Sequence, residues 1–409
     1  MSRDATLLIG GQAVRSAGYG FTAVVLGALL ADRGYSHLRV GVVLAALIAG
    51  TAVAGLTVGV VADRWGRRRC YAGFFVAIAA AGALVAAGAP FWVLLLIALT
   101  GTLSTDVVDN GPATTLEQVM LAAEDAGTAG VYGRYNAVGA SAGALGALAA
   151  GLPVLTGHGS TIGAGWFAVL VPVGAAGALL AAGLSPAVEA STTTALPGRP
   201  GGVVVRSRLG ESKTVVRRLA GLFALDAAGG GLVTTGFLSY LFTERYAVSL
   251  IVLGWLFFGV AVVQASSVML APGLARRFGL VVTMVGTHLP SNVLLAAVAF
   301  APNFTVAAAL LLARTTLSQM DVPTRQALVM AVVTPGERTA AAALTNTARY
   351  TVRPVGPVAA SLLQQLFLGA PLLAAGIVKV GYDLALWRWA RHLDLPTTPR
   401  PQTTTMQAS

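Results

Sequence analysis

Aspartates and arginines stand inside long apolar runs of this chain, where each charge costs several kcal/mol unless something answers it. Gln12 and Arg15 lie in the first run, and Asp106, Asp109, Asn110 and Glu117 in the fourth. Arg134 and Asn136 lie in the fifth, and Asp226 in the seventh. The tenth holds Arg314, Gln319, Asp321 and Arg325, and the eleventh Asn346, Arg349, Tyr350 and Arg353. Neighbouring carboxylates in a low dielectric repel, so one of them titrates closer to neutrality and can carry a proton. Asp106, Asp109, Asp226 and Asp321 are the candidates for that work. An arginine held at depth needs an anion, either a protein carboxylate or a bound solute. Arg15, Arg314, Arg349 and Arg353, with the amides of Gln12, Asn110, Gln319 and Asn346, form the candidate solute-binding set.

Helical spacing sharpens these sets. Arg349 and Arg353 are four apart and leave one face of a helix, as do Asp321 and Arg325, which can pair. Asp106 and Asp109 are three apart, and Asn110-Gly111-Pro112 then predicts a helix break. A purely structural alternative stays open: Asp106 and Asp109 can neutralise Arg15, Arg134 or Arg349 across helices. Other chemistry lacks its residues. One cysteine (Cys70) and four scattered histidines (His37, His158, His288, His392) form no metal or nucleophile cluster, so no metal, cofactor or enzymatic activity is expected. His288, near Thr287 and Pro290, reads as locally hydrogen-bonded. No Gly-x-x-x-x-Gly-Lys-Ser string offers an ATP site.

The elements that must position these residues are membrane helices. Hydrophobic residues make up 56% of the 409 and charged ones 11%, against about 25% charged in soluble domains. Ten-residue alternating patterns of a membrane barrel are absent. The chain therefore reads as all-α and polytopic. Twelve spans are predicted near 7–31, 39–61, 70–88, 91–120, 129–152, 162–184, 216–242, 249–271, 280–300, 303–330, 336–367 and 370–391. The N-terminus reads as the first span, with no small-residue cleavage site.

Residues 185–215, rich in Ser, Thr, Pro, Gly and Arg, predict a linker between two six-helix halves, 1–184 and 216–393, with a tail over 394–409. The net charge of +11 reflects arginines in loops rather than a nucleic-acid partner. Arg64, Arg67, Arg68, Arg69, Arg206, Arg208, Lys213, Arg217, Arg218, Arg276 and Arg277 fall on one side. Arg33, Arg39 and Arg245 fall on the other. The arginine-rich side is expected to be cytoplasmic, with both termini there. The halves also repeat: Asp63-Arg64-Trp65-Gly66 is echoed by Arg276-Arg277-Phe278-Gly279. Thr102-Leu103-Ser104 returns as Thr316-Leu317-Ser318, and Tyr135-Asn136 as Thr345-Asn346, all at nearly one offset. Two similar halves around a membrane-normal axis place a solute site between them near the midplane.

Between the second and third spans, Gly59 to Arg69 reads GVVADRWGRRR. Through Gly59, Asp63, Arg64, Gly66, Arg67 and Arg68, with the second copy at Arg276, Arg277 and Gly279, the chain resembles the major facilitator superfamily over its whole length. The run from Met320 to Asn346 is similar to one in uncharacterised bacterial facilitator proteins. The resemblance implies a fold with spans 1, 4, 7 and 10 around a central cavity that spans 5 and 11 also reach. It implies that Asp63 helps close the cytoplasmic gate against the start of span 11, where Thr334-Pro335-Gly336-Glu337 reads as a capped helix start. The chain departs from drug–proton antiporters: span 4 lacks an Arg-x-x-Gln-Gly string and span 5 lacks a Gly-Pro pair. Gly139, Gly143, Gly146 and Gly151 are expected to serve close packing.

The resulting expectation is a secondary transporter that moves a small organic solute by alternating access, coupled to protons, with efflux favoured. The alternatives are proton-coupled uptake or exchange of an organic or phosphate-bearing anion, and a non-transporting sensor of the same fold. The arginines favour an anionic solute. Its setting is the inner (cytoplasmic) membrane of a cell, multi-pass in the lipid bilayer. By resemblance it works as a monomer.

Overall fold

The computed structural model describes residues 2–105, 111–123, 129–155, 163–189, 209–334 and 337–391, which are helical and contain no strand. The first half holds α1 (Arg3–Asp32), α2 (His37–Trp65), α3 (Arg67–Ala86), α4 (Phe91–Leu99), α5 (Pro112–Ala123), α6 (Ala129–Ala149) and the short α7 (Leu152–Leu155). A 3-10 segment (Ala164–Val169) then runs into α8 (Leu170–Ala182), and another (Pro186–Glu189) follows. The second half holds α9 (Lys213–Gly231), α10 (Thr235–Tyr246), α11 (Leu250–Phe278), α12 (Leu280–Val298), α13 (Phe304–Ser318) and α14 (Asp321–Ala331). It ends with α15 (Arg338–Val352), α16 (Val355–Leu363) and α17 (Ala370–Ala390). Together these build twelve spans in two halves. Asp106, Asp109, Asn110, the linker over 190–208 and the tail lie outside the described residues, as do the side chains of Asp63 and Arg338.

Among the described residues, eight segments are long and apolar enough to cross a membrane, counting α9 and α10 as one. The remaining spans are 4, 5, 10 and 11. Three of them are broken, and so is span 7. Span 4 stops at Leu99 and resumes at Pro112; span 7 breaks between Gly231 and Thr235, where the Thr234 hydroxyl accepts the Phe237 N–H at 3.2 Å. Span 10 breaks at Gln319–Met320 and span 11 at Arg353–Pro354. The sequence predicts the break of span 4 before Pro112 but draws spans 7, 10 and 11 as single helices. Glycine, proline or a capping hydroxyl stands at the breaks of spans 4, 7 and 11, whereas Gln319 and Met320 at the span 10 break supply none of these. Backbone freed at such depth is tolerated only inside protein or along a cavity.

The two arginine loops share one turn. Gly66 joins α2 to α3 with φ 94°, and Gly279 joins α11 to α12 with φ 86°, a region that suits glycine. The duplicated strings thus make duplicated turns. At the first, the Glu189 carboxylate accepts the Arg67 and Arg68 N–H groups at 2.7 and 3.0 Å, an anion on a helix N-terminus. The start of span 11 differs from the expected cap. Its helix begins at Arg338, and Glu337 instead accepts the N–H groups of Gly210 and of Ser212 (3.2 Å), the N-cap of α9.

Within the first half α1 packs on α6 and α8, and Gly146 is one reason it can. A Cβ there would lie 2.0 Å from the Ala17 carbonyl. The halves meet at the end away from the arginine loops. There the Ser239 hydroxyl donates to the Val24 carbonyl at 2.6 Å, and His37 Nδ1 and the Tyr240 hydroxyl lie 2.8 Å apart. α10 packs on α1, α16 on α2 and α11 on α6. At the arginine-rich end, the extensive packing partners of α5, α9 and α14 all belong to their own half. The interface is shut at one end and parted at the other.

Candidate functional site: a cavity between the halves and two buried charge networks

The parted interface leaves a cavity of about 520 Å³. One wall is the apolar stretch Leu47–Leu56 of α2, and the other is the polar face of Asn346, Tyr350 and Arg353 at the break of span 11. Ser104, Thr105, Thr115 and Gln118 of span 4 close the side. Two members of the expected solute-binding set, Asn346 and Arg353, therefore line the cavity. Span 2 enters it as well, which the sequence reading did not foresee. Leu47, Ile48 and Leu56 look like lipid-facing residues in one dimension and carry no polar signal.

Gln12 and Arg15 lie elsewhere, in a closed network of the first half. Arg15 is 1% exposed and reaches Glu117 at 2.9 Å and the Thr114 hydroxyl at 3.0 Å; it also donates to Gln12. Glu117, fully buried, accepts further bonds from Tyr71 (2.6 Å) and Tyr135. Spans 1, 3, 4 and 5 thus converge on one carboxylate. Arg15 pairs with Glu117 rather than facing the cavity. Tyr71 was missed because a tyrosine in an apolar run carries no charge to betray it.

The second network occupies the second half. Arg325 on α14 pairs with Asp321 at 2.8 Å, one turn away, and reaches Asp226 of α9 at 3.5 Å. Lys379 of α17 donates to Asp226 Oδ1, and His288 Nε2 of α12 lies 3.7 Å from that atom. His288 Nδ1 meets Asp383 Oδ1 at 2.8 Å, and Asn292 donates to Asp383 Oδ2 at 2.8 Å. His288 has a local neighbour, the Asn292 amide 3.0 Å from Nδ1 one turn along α12, and is bound across helices to Asp383 as well, which the sequence did not suggest. Lys379 and Asp383 were missed, although an intramembrane Lys and Asp four apart was a readable signal. Arg314 and Arg349 border this network, and each keeps a buried Nε without a partner among the described residues. Gln319 caps the end of α13 beside the span 10 break. Arg134 and Asn136 are exposed on α6, while Arg64, Arg276 and Arg277 are exposed at the loop end.

Among the described residues no group of three His, Cys, Asp or Glu could hold a metal ion. The arrangement as a whole is a solute-sized cavity at bent helices, flanked by a charge cluster with titratable members.

A model of the Major Facilitator Superfamily matches residues 8–357. An uncharacterized membrane protein of Saccharomyces cerevisiae is 28% identical over 178 residues, a match that spans 43% of this chain and 40% of that protein's length. Among solved structures, the nucleoside transporter NupG superposes with a TM-score of 0.70 at 14% identity, covering 95% of this chain and 98% of that one. A bacterial homologue of the human lysosomal transporter Spinster, inward-facing and occupied, gives 0.70 at 16% identity over 95% and 96%. An autoinhibited peptide transporter of the POT family gives 0.71 at 13% identity over 98% and 99%. At these identities the likeness is one of fold.

Proposed function

This chain belongs to the Major Facilitator Superfamily, and on that premise we propose that it is a proton-coupled secondary transporter of a small organic anion, working by alternating access. The observation that carries the reading is the cavity between the halves, parted at the arginine-rich end and shut at the other. Counting arginines puts that open end in the cytoplasm, with both termini, so the state is inward-facing. The membrane is the cell's inner one, and the working unit is one chain.

A volume of about 520 Å³ suits a drug-sized or smaller solute. Its chemistry follows from the walls. An aliphatic face opposite Asn346, Tyr350 and Arg353 fits an amphipathic solute whose anionic end meets the guanidinium, a match for carboxylate or phosphate. Asp226 and Asp321, buried in the adjoining network, support coupling to protons. Asp63 keeps its proposed work at the cytoplasmic gate.

A thermal-shift screen of the purified protein against organic anions, cations and neutral solutes is the first test. Stabilising compounds then go into counterflow in proteoliposomes, followed by an imposed pH gradient. Anion counterflow with export driven by entering protons is the expected result. Proton-driven uptake would reverse the direction and keep the mechanism. No counterflow across the panel would overturn the transport reading.

A further inference from the structure

One oxygen in the second network has two suitors. Lys379 Nζ sits on Asp226 Oδ1, and His288 Nε2 stands 3.7 Å from the same atom. The other side of the imidazole fixes its state. Nδ1 lies 2.8 Å from Asp383 Oδ1 and 3.0 Å from the Asn292 amide nitrogen. An ionised carboxylate only accepts, so with Asp383 ionised the stronger, charge-assisted partner holds the proton on Nδ1. Asn292 spends its amide on Asp383 Oδ2, which leaves that carboxylate oriented toward the ring. The neutral ring therefore presents the Nε2 lone pair to an anionic oxygen, and 3.7 Å is beyond hydrogen-bond range. A proton on Nε2 turns that standoff into a charged donor aimed at Oδ1.

We infer that His288 is the proton-binding group of this network and that its protonated Nε2–H displaces the Lys379 ammonium from Oδ1 of Asp226. The inference rests on the proton-coupled reading and names its titrating atom. One proton arrives from water; Asp226 stays a carboxylate and Lys379 an ammonium, so the network gains one positive charge. The charged and titratable groups of the network take part in setting that step. α9 brings Asp226, α13 brings Arg314, and α14 brings Asp321 and Arg325. α15 brings Arg349 and Tyr350, while α17 brings Lys379, Tyr382 and Asp383. α11 has no titratable side chain between Leu250 and Ala275.

The exchange acts where the cavity wall bends. The Lys379 stem lies against Gly229, where a Cβ would meet it at 2.8 Å. Two residues on, span 7 breaks after Gly231, and the Gly231 backbone presses on Gly356 and the Arg353 carbonyl at the break of span 11. Arg353 lines the cavity. Freeing Lys379 from Asp226 loosens α17 from α9 beside this joint, so a proton on His288 is felt at the cavity wall.

The chain has two lysines, Lys213 and Lys379, and four histidines. That makes the exchange readable by nitrogen NMR of the full-length protein, labelled at both residue types, in lipid nanodiscs without solute. Between pH 5 and 8, the Lys379 signal should step with the same midpoint as one imidazole, while Lys213 stays flat. In His288→Gln the lysine step should vanish. A pH-invariant Lys379 signal in the wild-type protein overturns the inference without needing the variant to fold, and so does a step that persists in His288→Gln. Lysine exchange in a protein whose counterflow ignores pH would fell the coupling and leave the exchange standing.

Discussion

Arg15 and Glu117 meet 2.9 Å apart with 1% and 0% of their side chains exposed, and the contact ties span 1 to span 4. Two tyrosines complete the carboxylate's shell, which makes this a satisfied buried pair. Removing one partner leaves the other charged and dry. Glu117→Gln should therefore cost about 3–5 kcal/mol of stability, read by denaturant unfolding in detergent micelles. Replacing both residues by leucine should recover much of that loss. A Glu117→Gln protein as stable as the wild type would show that Arg15 finds another anion.

The shut end of the interface hangs on few polar contacts, among them His37 to the Tyr240 hydroxyl. Tyr240→Phe deletes that bond while keeping the ring, at a cost of about 1 kcal/mol. Only the state with this end closed makes the bond, so its population should fall roughly fivefold relative to the alternative. Labelling of Thr347→Cys, a cavity position, in a Cys70→Ser background measures this. Impermeant maleimide should reach it mainly from the arginine-rich side, and Tyr240→Phe should raise labelling from the other. An unchanged ratio would remove the contact from the gate.

Spans 7 and 11 touch backbone to backbone. A Cβ on Gly356 would lie 2.1 Å from the Gly231 carbonyl carbon, whereas one on Gly286 of α12 meets nothing within 4 Å. Gly356→Ala should push the two breaks apart at a cost of about 1–3 kcal/mol and impair transport. Gly286→Ala, in a helix interior with open space, should be neutral or slightly stabilising. Equal behaviour of the two variants in thermal unfolding and counterflow would contradict the packing argument.

Glu337 clasps the end of the linker to the start of span 11, and bonds from Ser212 and Gly210 hold its carboxyl below the usual glutamate range. A lowered carboxylate contributes above its ordinary pKa and loses its contribution as pH falls through the depressed value. The clasp should thus be intact at neutral pH and release only in acid, below the ordinary glutamate range. Hydrogen-exchange protection of the Gly210 and Ser212 amides reports it. Glu337→Gln should lose part of that protection at pH 7, and wild-type protection that persists unchanged in strong acid would refute the clasp.

Much of the fold was legible because a bilayer imposes simple arithmetic. Helix-length apolar runs, an arginine-biased set of loops and strings repeated at one offset suffice for twelve spans in two halves. Gly66 and Gly279 even marked the matching turns. The site was legible only in part. Asn346 and Arg353 could be picked out as polar residues on a central span, and Asp321–Arg325 as a pair one turn apart. Arg15 could be picked out too, but not its partner. Several acids offered themselves, and only the crossing of span 1 with span 4 selects Glu117.

The sequence by itself determined that the chain lives in a membrane, that it is a duplicated helical machine, and that charges cluster on certain spans. Hydrophobicity, charge asymmetry and repeat spacing are properties of a one-dimensional string. Tertiary structure alone decided which charges neutralise each other and which border the cavity. It decided where spans 7, 10 and 11 break, and that the halves part at the arginine-rich end. It also decided that Lys379 and His288 face one oxygen of Asp226, 153 and 62 residues away along the chain. The reason is physical: a buried charge is stabilised by whatever lies within a few ångströms, and helix packing, not sequence distance, sets what that is.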